Sequence, residues 1–193
     1  RNIIVGGGAK CTLRFNKGRQ ISGKGNKIEI GNGSCLMKCQ FVIKGNNNTI
    51  IIGPKCNFTA VSFWLSGNNN RIEIGEGTTV GARTEFAALE GTSITIGKDC
   101  MFSHDIRLRT SDSHSIVEET TGKRLNHAED IRIGNHCWVG MQSLVMKGSS
   151  LADNSVLSAR SLLNKQFADK GCIVGGSPAK ILKEHINWDR KKL

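Results

Sequence analysis

Ile28-Glu29-Ile30-Gly31 returns as Ile50-Ile51-Ile52-Gly53, Ile72-Glu73-Ile74-Gly75 and Ile94-Thr95-Ile96-Gly97, each copy 22 residues after the last. A fifth copy, Ile131-Arg132-Ile133-Gly134, comes after a gap of 37. A fixed period of this length marks a chain built of stacked coils, each coil burying its apolar face against its neighbours. The period breaks once, and the excess residues carry His114. A regular scaffold with a single irregular loop points to that loop as the place for chemistry.

Counting from the second Ile of each tetrapeptide, large apolar residues recur six apart: Ile30, Leu36, Val42; Ile52, Phe58, Trp64; Ile74, Val80, Phe86; Ile96, Phe102, Leu108. Ile133, Val139, Val145, Leu151, Leu157 and Leu163 keep the step without a gap. Small residues lie four positions beyond many of them, at Ser34, Cys56, Thr78, Cys100, Cys137, Ser143, Ser149, Ser155 and Ser161. The unit is a hexapeptide with one large and one small inward residue. Three such units close a triangular coil of about 18 residues, and coils stack at about 4.8 Å through parallel backbone hydrogen bonds.

The longer coils place their extra residues at one corner, at Gly25-Asn26, Gly45-Asn46-Asn47-Asn48 and Gly67-Asn68-Asn69-Asn70. Gly and Asn tolerate positive φ and suit a protruding turn. Stacked Asn side chains can also form an amide ladder, so these runs are structural. The same corner expands between residues 109 and 130 into a loop without period, a length that in a compact domain signals function. Residues 1–24 fit the repeat poorly and are expected to form an atypical capping coil. Residues 179–193, with Ile181, Leu182, His185 and Ile186 at helical spacing, predict a short C-terminal helix. The expected organisation is therefore a solenoid over 1–178 with a helical tail over 179–193.

Composition agrees with this architecture. Of 193 residues 38% are hydrophobic and 5% aromatic, with no Tyr. A solenoid needs only thin apolar columns, unlike a globular core. The net charge of +11 favours a polyanion or a phosphate-bearing cofactor. No aromatic and basic interleaving or known nucleic-acid motif is present, so nucleic acid is not the expected partner. The seven Cys contain no Cys-x-x-Cys pair, and three occupy the small inward position. Reduced, buried thiols predict a cytoplasmic protein. No apolar run is long enough to span a membrane.

Ile133-Gly134-Asn135-His136-Cys137-Trp138-Val139-Gly140, Leu157-Ser158-Ala159-Arg160-Ser161-Leu162-Leu163-Asn164-Lys165, Gly175-Gly176-Ser177-Pro178-Ala179-Lys180 and Thr110-Ser111-Asp112-Ser113-His114 together resemble the hexapeptide-repeat acyltransferases. Residues 94–188 carry the match. With Arg124-Leu125-Asn126-His127-Ala128-Glu129-Asp130 and Asn187-Trp188-Asp189-Arg190-Lys191, the chain is most similar to bacterial O-acetyltransferases of capsular or sialic-acid polysaccharides. The resemblance implies a left-handed parallel β-helix, acetyl-CoA as cosubstrate, and a homotrimer with sites at the subunit boundaries.

The chemistry fits these residue types. An alcohol is a weak nucleophile at neutral pH, and a His can take its proton. The family match makes His114 that base, in direct transfer without an acyl-enzyme. Asp112, Glu118 and Glu119 are candidates to orient its second ring nitrogen. By the same resemblance Trp138 lines the acetyl or acceptor site. A backbone N–H near Gly140 or Met141 is positioned for the oxyanion. Ser158 and Ala159 leave room for the coenzyme's arm, and Lys165, Lys180 and Lys183 match positions that meet its phosphates. No His pair has the five-residue spacing of the zinc enzyme built on this fold, so no metal is expected. The function expected is O-acetylation of a sugar hydroxyl on an anionic surface glycan. The alternatives are N-acetylation of a nucleotide-linked amino sugar and a non-catalytic glycan- or protein-binding solenoid.

Overall fold

The computed structural model describes residues 3–6, 8, 10–13 and 20–191. It is a three-faced parallel β-helix. The first face holds eight strands stacked in chain order, among them Lys27–Ile30, Thr49–Ile52, Arg71–Ile74, Ser93–Ile96 and Ile131–Ile133. Ile28, Ile50, Ile72, Ile94 and Ile131 stand in one register, and Ile30, Ile52, Ile74, Ile96 and Ile133 in a second. All ten are buried. Every Ile-x-Ile-Gly therefore sends two side chains inward, as the period of two of a strand requires.

The fourth residue has its own reason. A Cβ on Gly53 would stand 2.7 Å from the Glu76 amide nitrogen of the next coil, and one on Gly97 2.6 Å from that of Asn135. The corner after the first face is packed backbone on backbone, and any side chain there would hold the coils apart.

The second face carries Asn57–Thr59, Thr79–Val80, Met101–Phe102, Trp138–Val139, Val156–Leu157 and Ile173–Gly176. The third carries Ser62–Ser66, Glu85–Leu89, Arg107–Arg109, Leu144–Met146 and Leu162–Leu163. The long strand Cys35–Lys44 bends round a corner and serves both. Phe41, Phe63 and Phe86 stack through the core at centroid spacings of 4.9 and 5.5 Å. The expected small inward residues are all buried. Ser34 and Thr78 bond to the carbonyls of Gly53 and Gly97 in the coil above. Burial pushes the Cys56 thiol up to about 11, which suits a packing role and not a nucleophile.

The Asn corner is a ladder. Buried Asn48 accepts at Oδ1 from both the backbone N–H and the side-chain amide of Asn70, and donates from Nδ2 to Asn26 Oδ1 and the Gly67 carbonyl.

Two expectations are corrected. Val42 and Trp64 are not inward; Trp64 is 38% exposed, while Phe41, Ile43, Phe63 and Leu65 fill the core. The step from the second to the third face is five residues in these coils, Leu36 to Phe41 and Phe58 to Phe63, against six from Val80 to Phe86, so the inward positions fall one residue earlier. Residues 3–6, 10–13 and 21–22 pair in parallel with the next coil on all three faces, with a register shift between Thr12 and Leu13; residues 1–2, 7, 9 and 14–19 of the expected capping coil lie outside the described residues. Finally, residues 179–193 form no helix among the described residues. Ala179–Lys183 is a strand, antiparallel to Ile173–Gly176. The last strand of the second face would otherwise expose its backbone donors and acceptors, and a tail this short gains little from helical periodicity alone. No helix among the described residues is long and apolar enough to cross a membrane.

Candidate active site

Residues 110–130 leave the solenoid where the third face turns to the first, the corner that carries the Asn ladder in earlier coils. The loop is tied down at its base. Buried Thr110 takes hydrogen bonds at Oγ1 from the Leu89 amide (3.0 Å) and Thr92 Oγ1 (2.6 Å). The Glu129 N–H closes the loop on the Thr110 carbonyl at 3.0 Å. Glu90, on the preceding coil, accepts from Ser111 Oγ and from both terminal nitrogens of Arg124. Those donors, the guanidinium first, hold its carboxyl down at about 2. Lys147 and Asn126 converge on Asp112 Oδ2 at 2.5 and 2.8 Å, and they lower that carboxyl as well.

The loop then doubles back as a short hairpin, with a bridge between Val117 and Arg124 and a turn closed by the Gly122 N–H on the Glu118 carbonyl. His114 sits at its shoulder. Its carbonyl is gripped by Asn126 Nδ2 at 2.8 Å, and Arg109 donates to the neighbouring Ser113 Oγ at 3.1 Å. The His114 ring is exposed and meets no hydrogen-bond partner among the described residues. Of the orienting candidates, Asp112 is committed to Lys147 and Asn126, Glu118 to Thr121, and Glu119 makes no bond to the ring. His127 is exposed too, with no bond to His114.

A groove of about 460 Å³ lies at another corner, between the second and third faces. Trp138, Gly140, Met141, Ser158 and Ala159 line it together. Trp138 is 37% exposed and pairs in register with Met101 and Val156, and its indole N–H reaches Ser103 Oγ at 3.3 Å. A Cβ on Gly140 would stand 2.4 Å from the Ala159 amide nitrogen, so the wall is low there because no side chain fits. The Gly140 N–H is spent on the Leu157 carbonyl at 2.7 Å. The N–H of Met141 has no acceptor among the described residues, which leaves Met141 as the available donor of the two.

Of the other expected residues, Lys180 and Lys183 flank this cluster and Lys165 lies apart from it. Lys180 and Lys183 stand on the antiparallel strand, opposite Gly175 and the groove residue Ile173. Lys165 stands at the third-to-first corner, its ammonium 5.2 Å from the Phe167 ring. His114 is at that corner also, away from the groove of its own chain.

Sequence reasoning missed His104, which lines the groove and bonds to Asp105 at 2.7 Å. Its signal was positional, since the ladder sets His104 one coil before Met141. Trp188 was missed as well; it is buried against His136 and adjoins Trp138. No spacing within the repeat reveals that contact. His136 faces outward on the coil wall, where Trp188 stacks on it. Among the described residues no group of His, Cys, Asp and Glu is placed to hold a metal ion.

Over 171 residues the chain is 35% identical to a polysialic acid O-acetyltransferase of Neisseria meningitidis, covering 89% of this chain and 79% of that protein. It is 37% identical over 113 residues to a polysialic acid O-acetyltransferase of Escherichia coli O1:K1 / APEC, covering 58% of this chain and 36% of that protein. Among solved structures, the polysialic acid O-acetyltransferase OatWY superposes with a TM-score of 0.84 at 30% identity, over 100% of this chain and 93% of that one. The polySia-specific acetyltransferase NeuO does so with 0.73 at 30%, over 89% and 88%. No family model matches the sequence.

Proposed function

Because the chain belongs to the polysialic acid O-acetyltransferases and is an acyltransferase, we propose that it carries acetyl from acetyl-CoA to a hydroxyl of polysialic acid, with His114 as general base. The observation that carries this reading is the groove at Trp138, Gly140, Met141, Ser158 and Ala159. It is long and low-walled, and it ends beside a strand bearing Lys180 and Lys183. A thin pantetheine arm suits the low wall, and the diphosphate suits the lysines.

In the transfer the acceptor O–H gives its proton to His114 while the oxygen bonds to the acetyl carbon. The carbon–sulfur bond breaks, and the proton passes to the departing thiolate. The Met141 N–H faces the oxygen that gains charge. Trp138 supplies an apolar wall that keeps water from the thioester.

His114 and the groove occupy different corners of one chain. A working site then needs His114 from one copy over the groove of another, which supports the homotrimer. The exposed, unpartnered ring of His114 suits that arrangement. The net charge of +11 favours a polyanionic acceptor by long-range attraction. The described cysteines are free thiols, consistent with the cytoplasm as the working compartment.

The test is thiol release from acetyl-CoA by the purified protein with polysialic acid, sialic acid, neutral hexosides and nucleotide-linked amino sugars, beside His114→Ala. Release that depends on polysialic acid and is lost in the variant supports the reading. Release only with the amino sugars, or equal release by the variant, overturns it.

A further inference from the structure

Beyond the strand Ala179–Lys183 the chain does not leave the molecule. Residues 184–190 run back across the coils at the corner between the first and second faces. The Ile186 N–H bonds to the Gly171 carbonyl at 2.8 Å. Two residues on, Trp188 lies flat on His136 of an earlier coil, with ring centroids 4.3 Å apart and an interplanar angle of 11°. The Trp188 indole N–H donates to the His136 carbonyl at 2.7 Å. Arg190 continues to the coil before that, donating to Asp99 Oδ1 and to the carbonyls of Asp99 and Cys100. It reaches one coil further to Thr79 Oγ1 at 2.9 Å.

The centre of this lacing is His136. Its Nδ1 is 2.7 Å from Asp99 Oδ2, and its Nε2 is 3.0 Å from the Trp188 carbonyl. A carboxylate and a carbonyl only accept, so each ring nitrogen faces an acceptor. Asp99 is held by Arg190 as well. Trp188 is only 8% exposed; the Arg190 guanidinium lies 5.5 Å from its ring centroid, and Trp138 stands beside it at 6.1 Å and 47°. A tail with no regular structure thus buries its single large side chain against a residue of the groove.

We propose that residues 184–190 are a positioning strap, in which the His136 ring clamps Trp188 against Trp138 and so fixes the wall of the acetyl-CoA groove. The proposal rests on the groove assignment given above. Trp188 does not line the groove and acts only through Trp138. Its removal leaves room for the Trp138 ring to change rotamer, and a tilted ring pair of this kind contributes modestly beyond its buried area.

The test is a double-mutant cycle on Trp188→Ala and Trp138→Ala, read as acetyl-CoA affinity by calorimetry and as steady-state kinetics with polysialic acid. Trp188→Phe and His136→Phe run alongside, and thermal unfolding confirms that each variant is folded. Trp188→Ala is expected to lower kcat/KM for acetyl-CoA about fivefold to tenfold, with the KM for polysialic acid unchanged. In the Trp138→Ala background the same substitution should cost less than about twofold. Trp188→Phe, which keeps the stack, should recover most of the loss, and His136→Phe, which removes both ring nitrogens and their contacts to Asp99 and the Trp188 carbonyl, should reproduce it. If Trp188→Ala does not fold, Trp188→Phe and His136→Phe decide by the same readouts. An equal loss in both backgrounds, or no loss in either, overturns the strap as a positioning element. Failure of the unaltered protein to bind acetyl-CoA would instead overturn the groove assignment, and the strap with it.

Discussion

Asn126 Nδ2 holds the His114 carbonyl at 2.8 Å and Asp112 Oδ2 at the same distance, so one amide fixes both the residue that carries the ring and its nearest carboxylate. Its Oδ1 takes the Ile116 N–H at 2.7 Å, completing a clamp around the shoulder of the loop. Asn126→Ala should lower kcat about tenfold while the KM for acetyl-CoA stays within about twofold, because misplacing a base costs rate and leaves donor binding alone. Steady-state kinetics over both substrates checks the split. A rise in the acetyl-CoA KM alone would contradict it.

Gly140 has the opposite character, since its contribution is the absence of a side chain. Gly140→Ala sets a methyl against the Ala159 backbone. It should destabilise the fold by about 1–3 kcal/mol, as overpacking does. Urea unfolding reads the loss, and calorimetry should show weaker acetyl-CoA binding as the two coils part.

The Asn ladder predicts a large cost at a residue far from any chemistry. Asn48→Ala strips partners from Asn26, Asn70 and the Gly67 carbonyl at once, inside the protein. A loss of about 3 kcal/mol is expected in denaturant titration. Asn48→Asp should be no better, because a carboxylate has no donor to offer Asn26 Oδ1 or the Gly67 carbonyl. An asparagine run that was merely a surface turn would tolerate both.

The loop anchor carries a pH signature. Glu90 is held down to about 2 by Arg124 and Ser111, against 4.5 for a free carboxyl. Its contribution is therefore whole above 4.5 and is lost as pH falls from there toward 2. Pepsin should nick the 110–130 loop increasingly as pH is lowered through that window. In Glu90→Gln the loop should be nicked at every pH tested. A wild-type loop equally resistant at both ends of the window would rule the anchor out.

The parts of this molecule legible in sequence are those that repeat. The Ile pairs, the small inward residues and the Asn corner each recur at a fixed interval, so a single reading serves every coil. Trp64 misled because its hydrophobicity matched the template while the corner before it was one residue short, which turns Phe63 and Leu65 inward in its place. The groove residues Trp138, Gly140, Met141, Ser158 and Ala159 were visible through the resemblance to the acyltransferases, and the stacking of neighbouring coils in register brings them together. Trp188 was not, since its partner His136 lies 52 residues away and outside any period. The C-terminal strand escaped for a related reason: its apolar pair Ile181-Leu182 fits a helix or a strand equally, and the unpaired edge beside it decided the outcome.

That terminal strand has a consequence for the whole particle. A stack of identical parallel coils resembles a one-dimensional crystal, and its last layer is a template on which a further layer could grow. On the second face Ala179–Lys183 reverses polarity there, and its exposed lysines face outward. On that face the next layer runs in the opposite direction, so the stack is closed there as a crystal is by a poisoned growth face.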